Sequence, residues 1–253
     1  DHERREILGT MDHLAEKIRL ITDAAVQVKL QPGSTKDIIL KESRAGTYDL
    51  LVFGSHLQAS LSNLRPKRAA RQIAKRICSP MLIVFPHDKQ LKKILVCIGG
   101  TESDQIVLQQ AGKLAIHTGA GCSILHVMSQ IPLRANAELE DLERDARSLI
   151  EHDSKEGDYL QEAVEKLITM GLDRQACSLQ VRHGLTVEEI IQESNQGEYD
   201  LIVIGGLEVS PEKSWHELRE LVQEDLADRV LAESSTSVLI ARRAEEHRNW
   251  SEM

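Results

Sequence analysis

One pattern of residues occurs twice in this chain, 151 residues apart, and it constrains the fold more than any other feature. From Thr186 to Gly206 the sequence reads as a helix, a turn at Gly197-Glu198-Tyr199-Asp200, and the apolar run Leu201-Ile202-Val203-Ile204 closed by glycine. From Thr35 to Gly54 the order returns: Glu42-Ser43 matches Glu193-Ser194, Gly46 matches Gly197, and Tyr48-Asp49-Leu50-Leu51-Val52-Phe53-Gly54 matches the stretch from Tyr199 to Gly205. A repeat kept in register over this length implies two copies of one structural unit.

The unit has a readable physics. Thr35 and Thr186 are placed to cap a helix through their hydroxyls. Asp37, Glu188 and Glu189 put negative charge at the positive end of the helix dipole. Gly46 and Gly197 are expected to end the helix, as glycine does past a C-terminus. The apolar runs fit parallel strands covered on both faces. Ligands of open α/β sheets bind at the carboxyl ends of such strands.

In chain order, helical spacing covers 1–22, alternation predicts a strand over 26–30, and the repeated helix and strand follow at 35–43 and 50–53. A helix over 60–76 and a strand over 80–85 lead to a linker at 87–90. The second copy opens with a strand over 94–98 and the turn Gly99-Gly100-Thr101. A helix over 104–118, a strand over 123–128, an interrupted helical stretch over 138–170 and a strand over 177–182 follow. The repeated pair, a helix over 215–232 and a strand over 237–241 close it. Strands alternating with helices predict a parallel sheet with helices on both faces. The units are residues 1–90, residues 91–245 and a polar tail over 246–253. Residue 1 aligns with residue 152, so the first copy lacks an opening βαβ, and an upstream or separate segment is expected to complete it.

Charge is uneven. The net charge is −9, yet residues 1–90 carry 15 basic and 10 acidic side chains against 16 and 30 in the remainder. Halves of opposite sign favour docking on one another or on different partners. The acidic whole argues against nucleic-acid binding. No apolar run approaches the ~20 residues of a membrane span. Cys78, Cys97, Cys122 and Cys177 form no CxxC pair and read as reduced thiols of a cytoplasmic protein, or of the cytoplasmic domain of a larger one.

These stretches resemble the universal stress protein family in a tandem arrangement. The resemblance rests on Ile94-Leu95-Val96 running into a glycine turn, on Ile124-Leu125-His126-Val127, on Tyr199 to Gly205, and on Ser237-Val238-Leu239-Ile240. Cys78-Ser79-Pro80-Met81-Leu82-Ile83-Val84 resembles the family's closing Cys-Pro-Val-Leu-Val-Val. The resemblance implies two copies of a doubly wound parallel five-stranded sheet in the order 3-2-1-4-5. It also implies self-association through the last strands, Met81 to Phe85 and Val238 to Ala241, paired antiparallel. A regulatory stress-response role without catalysis follows, with a small molecule or a protein as partner.

Many members of that family bind ATP through Gly-x-x-Gly, nine residues, then Gly-Ser/Thr, whose backbone N–H groups wrap phosphates. Neither copy keeps this marker: Ser55-His56-Leu57 follow Gly54, and Gly206-Leu207-Glu208 follow Gly205. The family's Asp-Gly-Ser turn aligns with Gly99-Gly100-Thr101. A rival reading likens Ile98-Gly99-Gly100-Thr101-Glu102-Ser103 to the Ser-Gly-Gly-x-Asp-Ser loop of ATP pyrophosphatases, against the plainer reading of a tight turn. Candidate ligand residues at the strand ends are Ile98, Gly99, Gly100, Thr101, Val127, His183, Gly184, Gly205 and Gly206, with Gly54 and Ser55 in the first copy. Arg65, Lys67, Arg68 and Arg71 form a candidate anion patch for ATP or AMP, or a solvated face answering the acidic half. No metal cluster is legible.

Overall fold

The computed structural model describes residues 2–46, 48–54, 65–77, 79–85, 90–101, 103–128, 155–206 and 226–243, and side chains within these except at 2–4, 65–67 and 155–156. In chain order the elements are α1 (His2–Ile21), α2 (Thr35–Ala45), β1 (Leu51–Gly54), α3 (Arg65–Ala74), β2 (Met81–Val84), β3 (Lys93–Ile98), α4 (Asp104–Thr118), β4 (Gly121–Met128), α5 (Lys155–Thr169), β5 (Cys177–His183), α6 (Thr186–Gln196), β6 (Leu201–Gly205), α7 (Leu226–Glu233) and β7 (Ser237–Ala241).

The strands form one seven-stranded sheet in the order β1-β2-β7-β6-β3-β4-β5. Every neighbouring pair is parallel except β2 and β7, which run antiparallel with Met81 opposite Ile240 and Ile83 opposite Val238. The five strands of the second half follow the order 3-2-1-4-5. The last strands of the two halves pair as expected, but within one chain. Both are interior strands, with β1 beyond β2 and β6 beyond β7, so neither offers a free edge.

Burial follows from this order. Ile94, Leu95 and Val96 are fully buried because β3 has neighbours on both sides and helices on both faces. On one face, side chains of α2, α3, α6 and α7 pack into a single cluster that spans both halves, from Leu40 and Ile73 to Ile190, Val230 and Ile240. On the other face α4 and α5 cover the second half, through Val107, Ala111, Leu160 and Leu167. The charge asymmetry finds its use at the junction of the halves. Arg71 donates to both oxygens of Asp228 on α7, at 2.6 and 2.5 Å, and Lys75 lies 3.0 Å from the same carboxylate.

Two local expectations are corrected. Residues 26–30 form no strand. Their counterpart in the second half, β5, is held by β4, and no equivalent of β4 stands beside residues 26–30 among the described residues. The hydroxyls of Thr35 and Thr186 do not cap their helices. The cap positions fall one residue earlier, at Ser34 and Leu185, and neither makes a side-chain capping bond. Gly46 and Gly197 do end α2 and α6, donating their N–H groups to the Glu42 and Glu193 carbonyls with φ −120° and −83°; in the second copy the left-handed residue is Glu198. These two glycines also serve close approach. A Cβ on Gly46 would lie 2.5 Å from the Tyr48 ring, and one on Gly197 would lie 2.1 Å from the Tyr199 ring. Each tyrosine then reaches back to the preceding helix, Tyr48 to Glu42 at 2.7 Å and Tyr199 to Glu193 at 3.1 Å. The repeated Glu-x3-Gly-x-Tyr is one hydrogen-bonded turn used twice.

Candidate functional site

The strand order reverses at β3, which has β4 on one side and β6 on the other. The crevice at the carboxyl ends of β3 and β6 is therefore the place where a sheet of this kind holds a ligand. Ile98, Gly99, Gly100, Thr101, Gly205 and Gly206 meet there. Gly100 takes φ +79°, a left-handed turn that a side chain would strain. Gly205 faces the turn: a Cβ on it would stand 3.1 Å from the Ser103 hydroxyl.

Two residues that the sequence reading passed over organise this turn. Asp104, the first residue of α4, is 5% exposed. Its carboxylate accepts the Gly99 N–H at 3.2 Å, the Thr101 N–H at 2.6 Å and the Thr101 hydroxyl at 3.3 Å. Tyr159, from α5, donates its hydroxyl to the same carboxylate at 2.5 Å and accepts the Gly100 N–H at 3.2 Å. All three backbone donors of the turn thus end on Asp104 or on the phenol bound to it. Burial, followed by the hydrogen bond to Asp104, pushes the Tyr159 phenol well above its ordinary range. His126 flanks Tyr159. Its ring meets that of Tyr159 edge-on at 6.2 Å, and its Nδ1 donates to the Ile98 carbonyl at 3.1 Å. The Ser103 and Thr101 hydroxyls lie 2.7 Å apart. Asp104 carried a signal in the sequence, as an acid on the first turn of a helix after Gly-Gly-Thr. Tyr159 carried none, because it arrives from a helix 55 residues away.

The other candidates lie elsewhere. Val127 points into the core shared by the two halves, away from the turn. His183 and Gly184 sit at the end of β5, two strands from β3, where the Gly184 N–H is spent on the Met128 carbonyl at 3.2 Å. A side chain on Gly184 would strike Glu189. Beside them Arg182 is committed to Glu193 at 2.6 Å and to Gln196 at 2.6 Å. Gly54 ends β1, and because β2 and β7 are antiparallel it lies at the opposite end of the sheet from Gly205. Ser55 lies outside the described residues, as do the side chains of Arg65 and Lys67. Of the anion patch, Arg71 is bound to Asp228, while Arg68 is exposed. Arg68 lines an open cleft of about 430 Å³ with Ser34, Thr35, Lys36 and Gln72 at the start of α2. A second cleft of about 560 Å³, lined by Asp37, Leu40, Lys41, Arg44, Ala45 and Arg76, flanks the other side of that helix. No grouping of His, Cys, Asp and Glu among the described residues could hold a metal ion, and no helix among them is long and apolar enough to cross a membrane.

Residues 90–242 match the profile of the universal stress protein family. The fold is similar to that of a universal stress protein from Archaeoglobus fulgidus DSM 4304, 17% identical, over 96% of this chain and 80% of that one, with a TM-score of 0.61. A protein of that kind from Pseudomonas aeruginosa UCBPP-PA14 is 14% identical over 96% and 78% of the two chains, with a TM-score of 0.62. A universal stress protein in complex with cAMP is 18% identical over 62% of this chain and 100% of that one, with a TM-score of 0.42. No curated protein matches the sequence. With the profile matched over more than half its length, the chain belongs to the universal stress protein family.

Proposed function

We propose that this chain is a regulatory protein of the universal stress type, acting through protein association and through a small ligand held at the carboxyl ends of β3 and β6, without catalysis. The observation that carries the reading is the strand reversal at β3, where the buried Asp104 and the half-buried Tyr159 and His126 are built around a glycine turn. Ser103 there contacts Thr101 and His126 contacts a backbone carbonyl, an arrangement suited to holding rather than to nucleophilic attack. A cytoplasmic setting belongs to the same reading, supported by the free thiols of Cys97, Cys122 and Cys177.

A second reading, an ATP or AMP sensor, is favoured by one feature. The cleft at the start of α2 joins Arg68 and Lys36 to the positive end of a helix. Native mass spectrometry of gently purified protein, followed by calorimetric titration with ATP and AMP, separates the two. The first reading expects no copurifying nucleotide, no heat, and no release of phosphate or pyrophosphate. A bound adenine nucleotide, lost in Arg68→Glu, replaces it with the second.

A further inference from the structure

The turn after β3 presents the donors of an anion site and spends them on its own chain. Backbone N–H groups converging from a glycine turn at the head of a helix are the usual means of holding a phosphate. Here Gly99 and Thr101 direct theirs to the two oxygens of Asp104, and Gly100 directs its own to Tyr159, which in turn donates to Asp104. The carboxylate begins α4, so the helix dipole favours its charge. It is buried, and its charge is met by two amides, one phenol and one threonine hydroxyl, as a buried carboxylate requires. In charge and in acceptor geometry it occupies the turn as a bound oxyanion would.

We propose that Asp104 is a built-in plug: its carboxylate stands in the place of a ligand's phosphate, so the second half excludes phosphate groups from this turn, and a ligand that lies against the turn presents an uncharged or cationic group to it. The competition is one-sided. Asp104 is tethered to the turn, so its effective concentration there is high. An incoming phosphate finds the N–H groups of Gly99, Gly100 and Thr101 already spent and meets a second negative charge at contact distance. The proposal deepens the ligand reading given above, and rests on it only for the class of ligand.

The test titrates the full ¹⁵N-labelled chain with inorganic pyrophosphate and follows the Gly99, Gly100 and Thr101 amides individually. In the wild type these three resonances are expected to hold their positions up to millimolar pyrophosphate. In Asp104→Ala they are expected to shift, with an affinity roughly tenfold or more above that of the wild type. Asp104→Ser keeps a small polar group at the head of α4, frees most of the same space, and serves should the alanine variant not fold. Wild-type amides that respond at micromolar pyrophosphate overturn the proposal. So do folded variants whose three amides stay still. Should neither variant fold, the wild-type titration decides alone. The broader ligand reading fails differently, by no small molecule of any class binding the wild-type chain.

Discussion

The two halves carry the same local pattern and bury it to different extents. In the second half β6 lies between β3 and β7, and Val203 is fully buried. In the first half β1 is an edge, and Val52, at the matching repeat position, is 57% exposed. The helices differ likewise. Leu160 and Leu167 of α5 are fully buried against the sheet and α4, whereas Ile18, Leu20 and Ile21 of α1 remain exposed. The partners that cover the second half are β3, α4 and β4, and the described residues of the first half supply no counterparts. A pattern of apolar residues proposes an element; its neighbours decide whether that element pairs and how much it buries.

The comparison breaks most sharply at the repeated glutamate. Glu193 is buried and shared by Arg182 and Tyr199, so Glu193→Gln, which leaves Arg182 with Glu189 as its carboxylate partner, is expected to cost about 2–3 kcal/mol. Glu42 makes the matching contacts to Lys29 and Tyr48 at the surface, and Glu42→Gln is expected to leave the denaturation midpoint unchanged. Equal losses in urea titrations of the two variants would end the claim that burial separates the halves.

The valines give the next largest contrast. Val203→Ala should cost about 2 kcal/mol, as removed methyl groups leave a cavity among Val96, Val107 and their neighbours. Val52→Ala should change stability by less than about 0.5 kcal/mol. Thermal melts of the pair read this directly, and a large loss at Val52 would mean that the β1 edge is covered in solution.

The junction of the halves responds to acid. The hydrogen bond from Arg71, with Lys75 beside it, holds the Asp228 carboxyl below the usual carboxylate range. A lowered folded value means that its contribution is complete above the unfolded value, ~3.9, and is lost as pH falls through the folded one. Hydrogen exchange in α3 should therefore rise below about pH 4. Asp228→Asn should show raised exchange already at neutral pH, and little further dependence on acid. Matching acid profiles for the variant and the wild type would remove Asp228 from the junction.

The smallest effect concerns the thiols. Burial pushes the Cys122 thiol up to about 12 and raises Cys97 as well. Cys177 is also raised, but it is only half-buried. Of the three described thiols in the native protein, iodoacetamide should label Cys177 first and reach Cys97 and Cys122 only on unfolding. Early labelling of Cys122 would show that β4 opens locally.

The sequence alone determined a good deal here. The repeat placed matching helices and strands, the apolar runs marked the parallel strands, and the family resemblance supplied the pairing of the last strands and the crevice at the turn from Ile98 to Thr101. These are legible because helical and strand periods are local, and because a repeat reports its own copy. The tertiary structure decided what depends on groups distant in the chain. Residues 26–30 alternate like a strand yet pair with no strand among the described residues, since a strand exists only by hydrogen bonds to a neighbour. The glycines at positions 46 and 197 end their helices as the sequence indicates, but the tyrosine rings that close on them are set by the fold. Gly54 and Gly205, alike in sequence, are set at opposite ends of the sheet by one antiparallel pair. Asp104 finds its backbone donors within five residues, but the phenol that completes the closed turn comes from α5, and only the packing of that helix onto the sheet brings the two together.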